Sequence, residues 1–126
     1  MNVSSPKTRF AHHNLHVWHL SKELAVLGRH IAKDIPRGDR DLADQLKRSA
    51  TAPVLLIGEG ANRLNDGEKR QRFNEARGEA CEAAVAVELG VALGLVQSER
   101  ADKMITLADQ VAAMLTGLIR RHSGDA

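Results

Sequence analysis

Apolar residues recur every three or four positions in four separate stretches of the chain. Side chains with this spacing lie above one another on a helix, so each stretch predicts an amphipathic helix. The first helix is expected over residues 14–35, with Asn14 as its cap and Pro36 as its end. Its inward stripe is Val17, Leu20, Leu24, Leu27 and Ile31.

The second helix is expected after Asp39, whose carboxylate is suited to accept from the first free amides. Its predicted inward residues are Leu42, Leu46, Ala50, Pro53, Ile57, Gly60 and Leu64. Pro53 has no amide hydrogen and clashes with the carbonyl four residues earlier, so a kink or broken turn is expected over residues 51–54. The apolar run 54–57 also has the composition of a short buried strand, although the flanking helices argue against one.

The third helix follows a turn at residues 65–67, is capped by Asn65 or Asp66, and is expected to be the longest. One stripe of it comprises Phe73, Ala76, Ala80, Ala83, Val87 and Val91. A second apolar set lies outside that stripe: Val85, Leu89, Ala92, Leu93 and Val96. A helix that is apolar on more than one side needs cover on more than one side, so this second set predicts an oligomer interface.

The fourth helix begins at Ser98, and its seam is Met104, Ala108, Val111, Leu115 and Leu118. Four helices of about 20 residues joined by short loops favour an all-α fold, an antiparallel up-and-down four-helix bundle. The predicted organisation is a flexible N-terminal segment over residues 1–13, the bundle over 14–121, and a frayed tail over 122–126.

Composition narrows the class of protein further. The chain has 126 residues, of which 43% are hydrophobic and only 2% aromatic, and this composition disfavours an all-β fold. A single cysteine and no signal-peptide pattern argue against a secreted, disulfide-linked scaffold, so a cytoplasmic location is expected. The longest apolar stretch, residues 80–96, contains Glu82 and Glu88 and is shorter than a membrane-spanning helix, so no membrane association is expected.

Candidate chemistry is sparse, and the sequence predicts no enzyme, no catalytic residue and no cofactor. His16 and His19 are three residues apart, so both can face one metal ion from one side of a helix, with Glu59 or Glu82 as acid partners. A metal-binding bundle is therefore the alternative function. A small-molecule site at a subunit boundary is a further alternative. The Glu-x-x-His pairs of di-iron bundles are absent. Cys81 lies among alanines and is expected to be a small core residue.

Charged residues give two further hypotheses. Glu59 lies between two glycines close to an apolar stripe and is expected to pair with Arg48, Arg63 or Arg77. The net charge is only +2, but basic residues gather on particular faces. The candidate phosphate-binding residues are Lys47, Arg48, Arg63, Arg70 and Arg77, although a solvated, salt-bridged surface is the simpler interpretation of the basic side chains early in the third helix.

Three groups of residues in order resemble a known family. Leu15, Val17 and Trp18 open the first helix. The second group is Gln45, Leu46, Arg48, Ser49 and Ala50, followed by Ile57, Glu59, Gly60 and Arg63. The third group is Phe73, Ala76, Arg77, Gly78 and Glu82. Together they resemble the four-helix bundle proteins encoded by intervening sequences of bacterial 23S ribosomal RNA genes.

The resemblance implies a homopentamer with no enzymatic activity, and RNA or an RNA-associated protein as a partner, by analogy with a distantly similar bundle that serves diversity-generating retroelements. The chain departs from the family pattern over residues 52–60. Its proline comes one position early, and Leu56 replaces an asparagine, so the polar contact of that asparagine is not expected here.

Overall fold

The structure, a computed structural model, describes residues 9–124, and within them the chain forms four long helices. They are α1 (His16–Lys33), α2 (Arg40–Ala61), α3 (Asp66–Ala92) and α4 (Ser98–Arg121). Two short 3-10 helices, Ala11–Asn14 and Arg37–Asp39, precede α1 and α2. The all-α bundle is confirmed, and α3 is the longest helix, with 27 residues.

Consecutive helices are antiparallel and α4 closes the bundle against α1. Polar contacts between the helices fix these directions. The start of α2 meets the later part of α3 through Gln45 and Glu82, and the end of α1 meets the start of α4 through Asp34 and Arg100. α1 therefore lies diagonally across the bundle from α3.

The predicted stripes form one continuous core. All five residues of the α4 seam are buried, and Leu24, Leu46, Ile57 and Phe73 are the large side chains at the centre. Close helix approach depends on glycine: a Cβ atom on Gly60 would lie 2.8 Å from Phe73 Cε1. Gly60 therefore allows α2 and α3 to come close together.

Several predicted details of α2 differ from the structure. Leu64 is 99% exposed rather than inward, because the helix ends at Ala61 and Leu64 lies in the turn beyond it. The helix runs without interruption through Pro53, so the helix is not broken at residues 51–54. The alternative of a strand at residues 54–57 is therefore wrong. Leu56, which replaces the family asparagine, is half-buried and packs against the core.

The turn between α3 and α4 is compact. Gly94 adopts a φ of 76°, a left-handed conformation that glycine accommodates without strain, and the N–H of Leu95 donates to the carbonyl of Gly90 over 2.8 Å. The turn brings Val96 back onto α3, where a Cβ atom on Gly90 would lie 2.7 Å from Val96 Cγ2. Val96, predicted to lie in an oligomer interface, is therefore half-buried against α3 of the same chain.

Residues 1–8 and 125–126 of the predicted flexible ends lie outside the described residues. The described part of the N-terminal segment contains an ordered 3-10 turn, Ala11–Asn14, which we call the N-terminal turn. Asn62 at the end of α2 holds it by accepting from the N–H of Ala11 over 3.1 Å. No helix in the described part of the chain is both long and apolar enough to cross a membrane.

Candidate nucleic-acid interface

Two adjoining depressions of about 360 Å³ each lie between α1 and α2. Both are lined by Arg29 and Lys47, and we call the pair the basic groove. The basic residues that line it are Arg29, His30, Lys33, Lys47 and Arg48. Asp44 is the acidic residue in its lining, and Thr51, Ala52 and Leu55 complete its wall.

Few carboxylates oppose these cations. Lys47 Nζ lies 3.8 Å from Asp44 Oδ1, at the outer limit of an ion pair, and both side chains are largely exposed. Arg48 donates through Nη2 to the amide oxygen of Gln45 over 2.5 Å, a neutral partner. Within residues 9–124, no carboxylate lies within 4.0 Å of the charged groups of Arg29 or Lys33. The groove therefore carries a net positive charge suited to an anionic ligand.

The structure separates the five predicted phosphate-binding residues. Lys47 and Arg48 lie in the basic groove, and exposed Arg63 lies in the turn after α2. Arg70 Nη1 donates to the carbonyl of His122 over 2.5 Å, and Arg77 Nε donates to Thr116 Oγ1 over 2.9 Å. Both α3 arginines thus link α3 to α4, so one continuous surface does not contain all five residues.

Arg29 and Lys33 are the basic residues that sequence reasoning missed. Their spacing of four residues places them on one face of α1, which was a detectable signal. Their place in the basic groove depends on the rotation of α1 relative to α2, which brings them beside Lys47. The periodicity of one helix does not predict how that helix is rotated against its neighbour.

The predicted partners of Glu59 are wrong. Its carboxylate Oε1 lies 3.1 Å from Arg72 Nε, and Arg72 in turn contacts Glu75 at 3.1 Å. Because Gly60 brings the end of α2 against the start of α3, Glu59 meets the side chain next to Phe73. The Glu59 side chain is 50% exposed, so this pair is a surface link between α2 and α3 and not a buried charge.

A second polar contact between α2 and α3 lies near the start of α2. Gln45 Nε2 donates to Glu82 Oε1 over 2.8 Å, on the same side of the bundle as Glu79. Burial, together with the like charge of Glu82, raises the pKa of Glu79, and Arg48 partly offsets that effect. The basic groove therefore adjoins a small acidic site on α3 through Arg48.

The proposed metal ligands do not form a cluster. His19 Nε2 lies 3.0 Å from the carbonyl of His13, and His16 lines a different depression beside Met114 and Arg121. Glu59 and Glu82 are engaged by Arg72 and Gln45. Among residues 9–124, no group of three or more His, Cys, Asp or Glu side chains is placed to hold a metal ion.

The second apolar set of α3 is largely open to solvent. Val85 is 66% exposed, Leu93 56% and Leu89 48%, and Ala92 is also exposed; we call these four residues the α3 apolar strip. Cys81 lies one turn before Val85 and is exposed, so its predicted place in the core is wrong. It is adjacent to buried Ala80, and one residue turns a helix by about 100°, which points it away from the core.

A larger apolar groove of about 940 Å³ separates α1 from α4. Its lining includes the apolar residues Val26, Leu27 and Leu107. It also includes acidic and basic side chains, among them Lys22, Glu23, Glu99, Asp102 and Lys103. This α1–α4 groove lies on the side of the bundle away from α3. The structure therefore has two apolar surfaces on different sides and one basic surface between α1 and α2.

Comparisons with known proteins agree with this architecture. A crystal structure of a protein of unknown function from the S23 ribosomal protein family of Bacteroides thetaiotaomicron superposes with a TM-score of 0.75. It is 20% identical, and the match covers 82% of this chain and 98% of that one, so it shows a shared fold. No curated protein matches the chain by sequence. Residues 13–117 match the 23S rRNA-intervening sequence proteins, and the chain belongs to that family.

Proposed function

We propose that the protein is a non-enzymatic, cytoplasmic RNA-binding module that assembles into a homo-oligomeric ring and holds RNA phosphates in the basic groove. The observation that carries this proposal is the grouping of Arg29, Lys33, Lys47 and Arg48 in a lining whose acidic residue is Asp44. Arg29 and Lys33, which have no carboxylate within 4.0 Å among the described residues, can bind phosphate without first breaking an ion pair. The name of the family, which refers to ribosomal RNA, is in keeping with an RNA ligand.

The groove suits backbone contacts more than base recognition. Its basic residues are arginine, lysine and histidine, and no Trp, Tyr or Phe contributes to the described lining. Aromatic rings supply base stacking at single-stranded sites, whereas arginine and lysine bind phosphate oxygens with little regard to base sequence. The expected binding is therefore strongly salt-dependent and weakly sequence-selective.

Two matched double variants test the site. Arg29→Gln with Lys47→Gln removes two charges from the basic groove, and Arg70→Gln with Arg77→Gln removes two charges from the α3–α4 surface. Binding of a fluorescently labelled single-stranded RNA is measured by anisotropy between about 50 and about 200 mM KCl. Both variants change the net charge equally, so a difference between them reports on position.

The groove variant is expected to bind more weakly and to lose about 1.4 from the slope of log K against log salt, since each single-strand phosphate contact contributes about 0.7. The α3–α4 variant is expected to change binding less, because both of its arginines already have partners within the bundle. Equal losses in the two variants, or no RNA binding by the unaltered protein, would reject the basic groove as the site.

The proposal of a ring is based on the exposure of the α3 apolar strip. Single exposed apolar residues are common, but Val85, Leu89 and Leu93 form a contiguous surface on one helix. The α1–α4 groove on another side of the bundle offers a second apolar surface. A head-to-tail contact between two different surfaces closes into a ring when the rotation between neighbouring subunits is a whole fraction of a turn. The family resemblance favours five subunits.

Light scattering on protein freed of nucleic acid measures the mass of the assembly. The expected mass is that of five chains, and Leu89→Arg is expected to reduce it to one chain because a charge in an apolar interface is unfavourable. Leu64→Arg is the matched control, since Leu64 is 99% exposed in the turn before α3. A monomeric unaltered protein would reject the ring while leaving the RNA proposal open to its own test.

A further inference from the structure

Rings of three histidines and one tryptophan meet at the start of α1. The His12 ring lies 4.4 Å from that of His13 and 4.5 Å from that of Trp18, and Trp18 lies 5.1 Å from His19, all between centroids. Lys22 Nζ lies 4.3 Å from the centre of the Trp18 ring. The RNA-binding proposal does not use this cluster, and the ring proposal involves only His19 and Lys22, which also line the α1–α4 groove.

The hydrogen bonds of Asn62 determine the protonation state of His12. The Asn62 Oδ1 atom accepts from the backbone N–H of Ala11, and Nδ2 donates to the carbonyl of Gly58 over 2.8 Å. These two bonds fix which end of the amide is which. The Nδ2 atom also lies 2.8 Å from His12 Nδ1, so that ring nitrogen must be an unprotonated acceptor.

We propose that the N-terminal turn is a pH-sensitive cap that rests on the end of α2 and on Trp18 only while the His12 ring is neutral. Protonation of Nδ1 places an N–H of His12 against an N–H of Asn62 and removes the acceptor that ties the turn to α2. The contact of Ala11 with the same amide is then lost as well. The turn releases and leaves the Trp18 ring open to solvent.

The surroundings of His12 strengthen this dependence. From the turn itself it faces His13, from α1 it faces His19 and Lys22, and from α2 it faces the neutral Asn62. The charged and titratable neighbours are all basic, and none of them stabilises an imidazolium. Burial, followed by these three basic neighbours, lowers the pKa of His12.

A further hydrogen bond lies within the same segment. The N–H of Phe10 donates to His13 Nδ1 over 3.3 Å. Contact of the N-terminal turn with α2 is therefore complete above the ordinary histidine pKa of about 6.5. It is lost as the pH falls through the lowered pKa of His12.

Trp18 is a specific probe, because the chain has one tryptophan and no tyrosine. Acrylamide quenching of its fluorescence is measured at about pH 7.5 and at about pH 5, with far-UV circular dichroism as a check on helicity. The expected result is a rise of the quenching constant of at least about twofold at the lower pH with the helical signal retained. An unchanged quenching constant, or a rise that follows loss of helicity, would overturn the proposal.

Two glutamine variants assign the effect. His12→Gln retains an oxygen acceptor that does not titrate, so its quenching constant is expected to stay low at both pH values. His16→Gln changes an exposed histidine at the first position of α1, outside the ring cluster, and is expected to keep the full transition. A full transition in His12→Gln would show that another group causes it. These measurements are separate from the tests of RNA binding and of assembly.

Discussion

Helices α2 and α3 pack closely against each other, whereas α1 and α4 leave an open groove between them. Between α2 and α3, Gly60 lets the backbone approach the ring of Phe73, and the links Glu59–Arg72 and Gln45–Glu82 join the helices on the outside. Between α1 and α4, Val26, Leu27 and Leu107 line an open groove of about 940 Å³.

The difference shows how the size of a contact residue sets the distance between two helices. A residue without a side chain permits close approach, and the neighbouring ring then fills the space, as protein interiors require. Bulkier side chains on α1 and α4 line their groove without filling it. The α2–α3 contact is therefore closed, whereas the α1–α4 contact leaves apolar side chains such as Val26 exposed to solvent.

Phe73→Ala is expected to have the largest effect, because it empties the centre of the closed contact. The side chain is 1% exposed, and truncation of a buried phenylalanine costs about 4 kcal/mol. Urea unfolding followed by circular dichroism at one protein concentration measures the loss. Leu64→Ala, at a residue that is 99% exposed, is the control and should change stability by less than about 0.5 kcal/mol. Similar losses in both variants would contradict a core centred on Phe73.

Gly60→Ala and Gly78→Ala are expected to have opposite effects, although both replace a glycine within a helix. A Cβ atom on Gly60 would lie 2.8 Å from Phe73 Cε1 and 3.0 Å from Arg72 Cβ, so the variant should lose about 1–2 kcal/mol. Gly78 has no such neighbour within 4 Å, and alanine there should add about 0.5–1 kcal/mol through helix propensity. Thermal unfolding of the two variants compares them directly, and a stabilised Gly60→Ala would show that the contact is not tight.

Arg100→Gln tests the end of the open contact. Arg100 Nη1 lies 2.7 Å from Asp34 Oδ2, and both groups are partly exposed, so the pair is worth about 0.2–1 kcal/mol. The loss should decrease in high salt, which screens exposed charges. A loss above about 2 kcal/mol would place this pair among the main supports of the bundle.

Glu79→Gln is expected to have the smallest effect on the free energy of unfolding, and the size of that effect should depend on pH. Because burial and Glu82 raise the pKa of Glu79, the folded chain holds this proton more tightly than the unfolded chain does. The residue therefore favours folding at low pH, and that contribution is lost as the pH rises through the raised pKa. The variant should gain stability relative to the unaltered protein on going from acidic to neutral pH. A difference that is constant with pH would contradict the altered pKa.

Helical periodicity predicted the four helices and most of the core, because both depend on spacing within one segment. Leu27 and Val91, predicted to face inward, are half-buried, and Cys81 faces outward although Ala80 beside it is buried. The error at Cys81 comes from composition, because small apolar neighbours along the sequence do not by themselves imply burial. At Leu64, the error came from extending a helix three residues beyond its end.

The candidate site was less accessible to sequence reasoning. The pairing of Glu59 with Arg72 and the grouping of Arg29 with Lys47 both depend on how one helix is rotated against the next. Arg70 and Arg77 are seven residues apart on α3, and their contacts with His122 and Thr116 are not visible in the sequence. Spacing locates a side chain on its own helix, and tertiary packing then decides what that side chain meets.

The order of the helices also has a consequence for folding. Three of the four helix contacts join neighbours along the chain, so short loops close them at little cost in entropy. The contact of α1 with α4 joins the two ends of the sequence and forms only when the whole length of the bundle is folded back on itself. It is expected to form last and to open first, and amide hydrogens of α1 should exchange with solvent before those of α3. The groove that is open in the folded state thus lies along the boundary where unfolding begins.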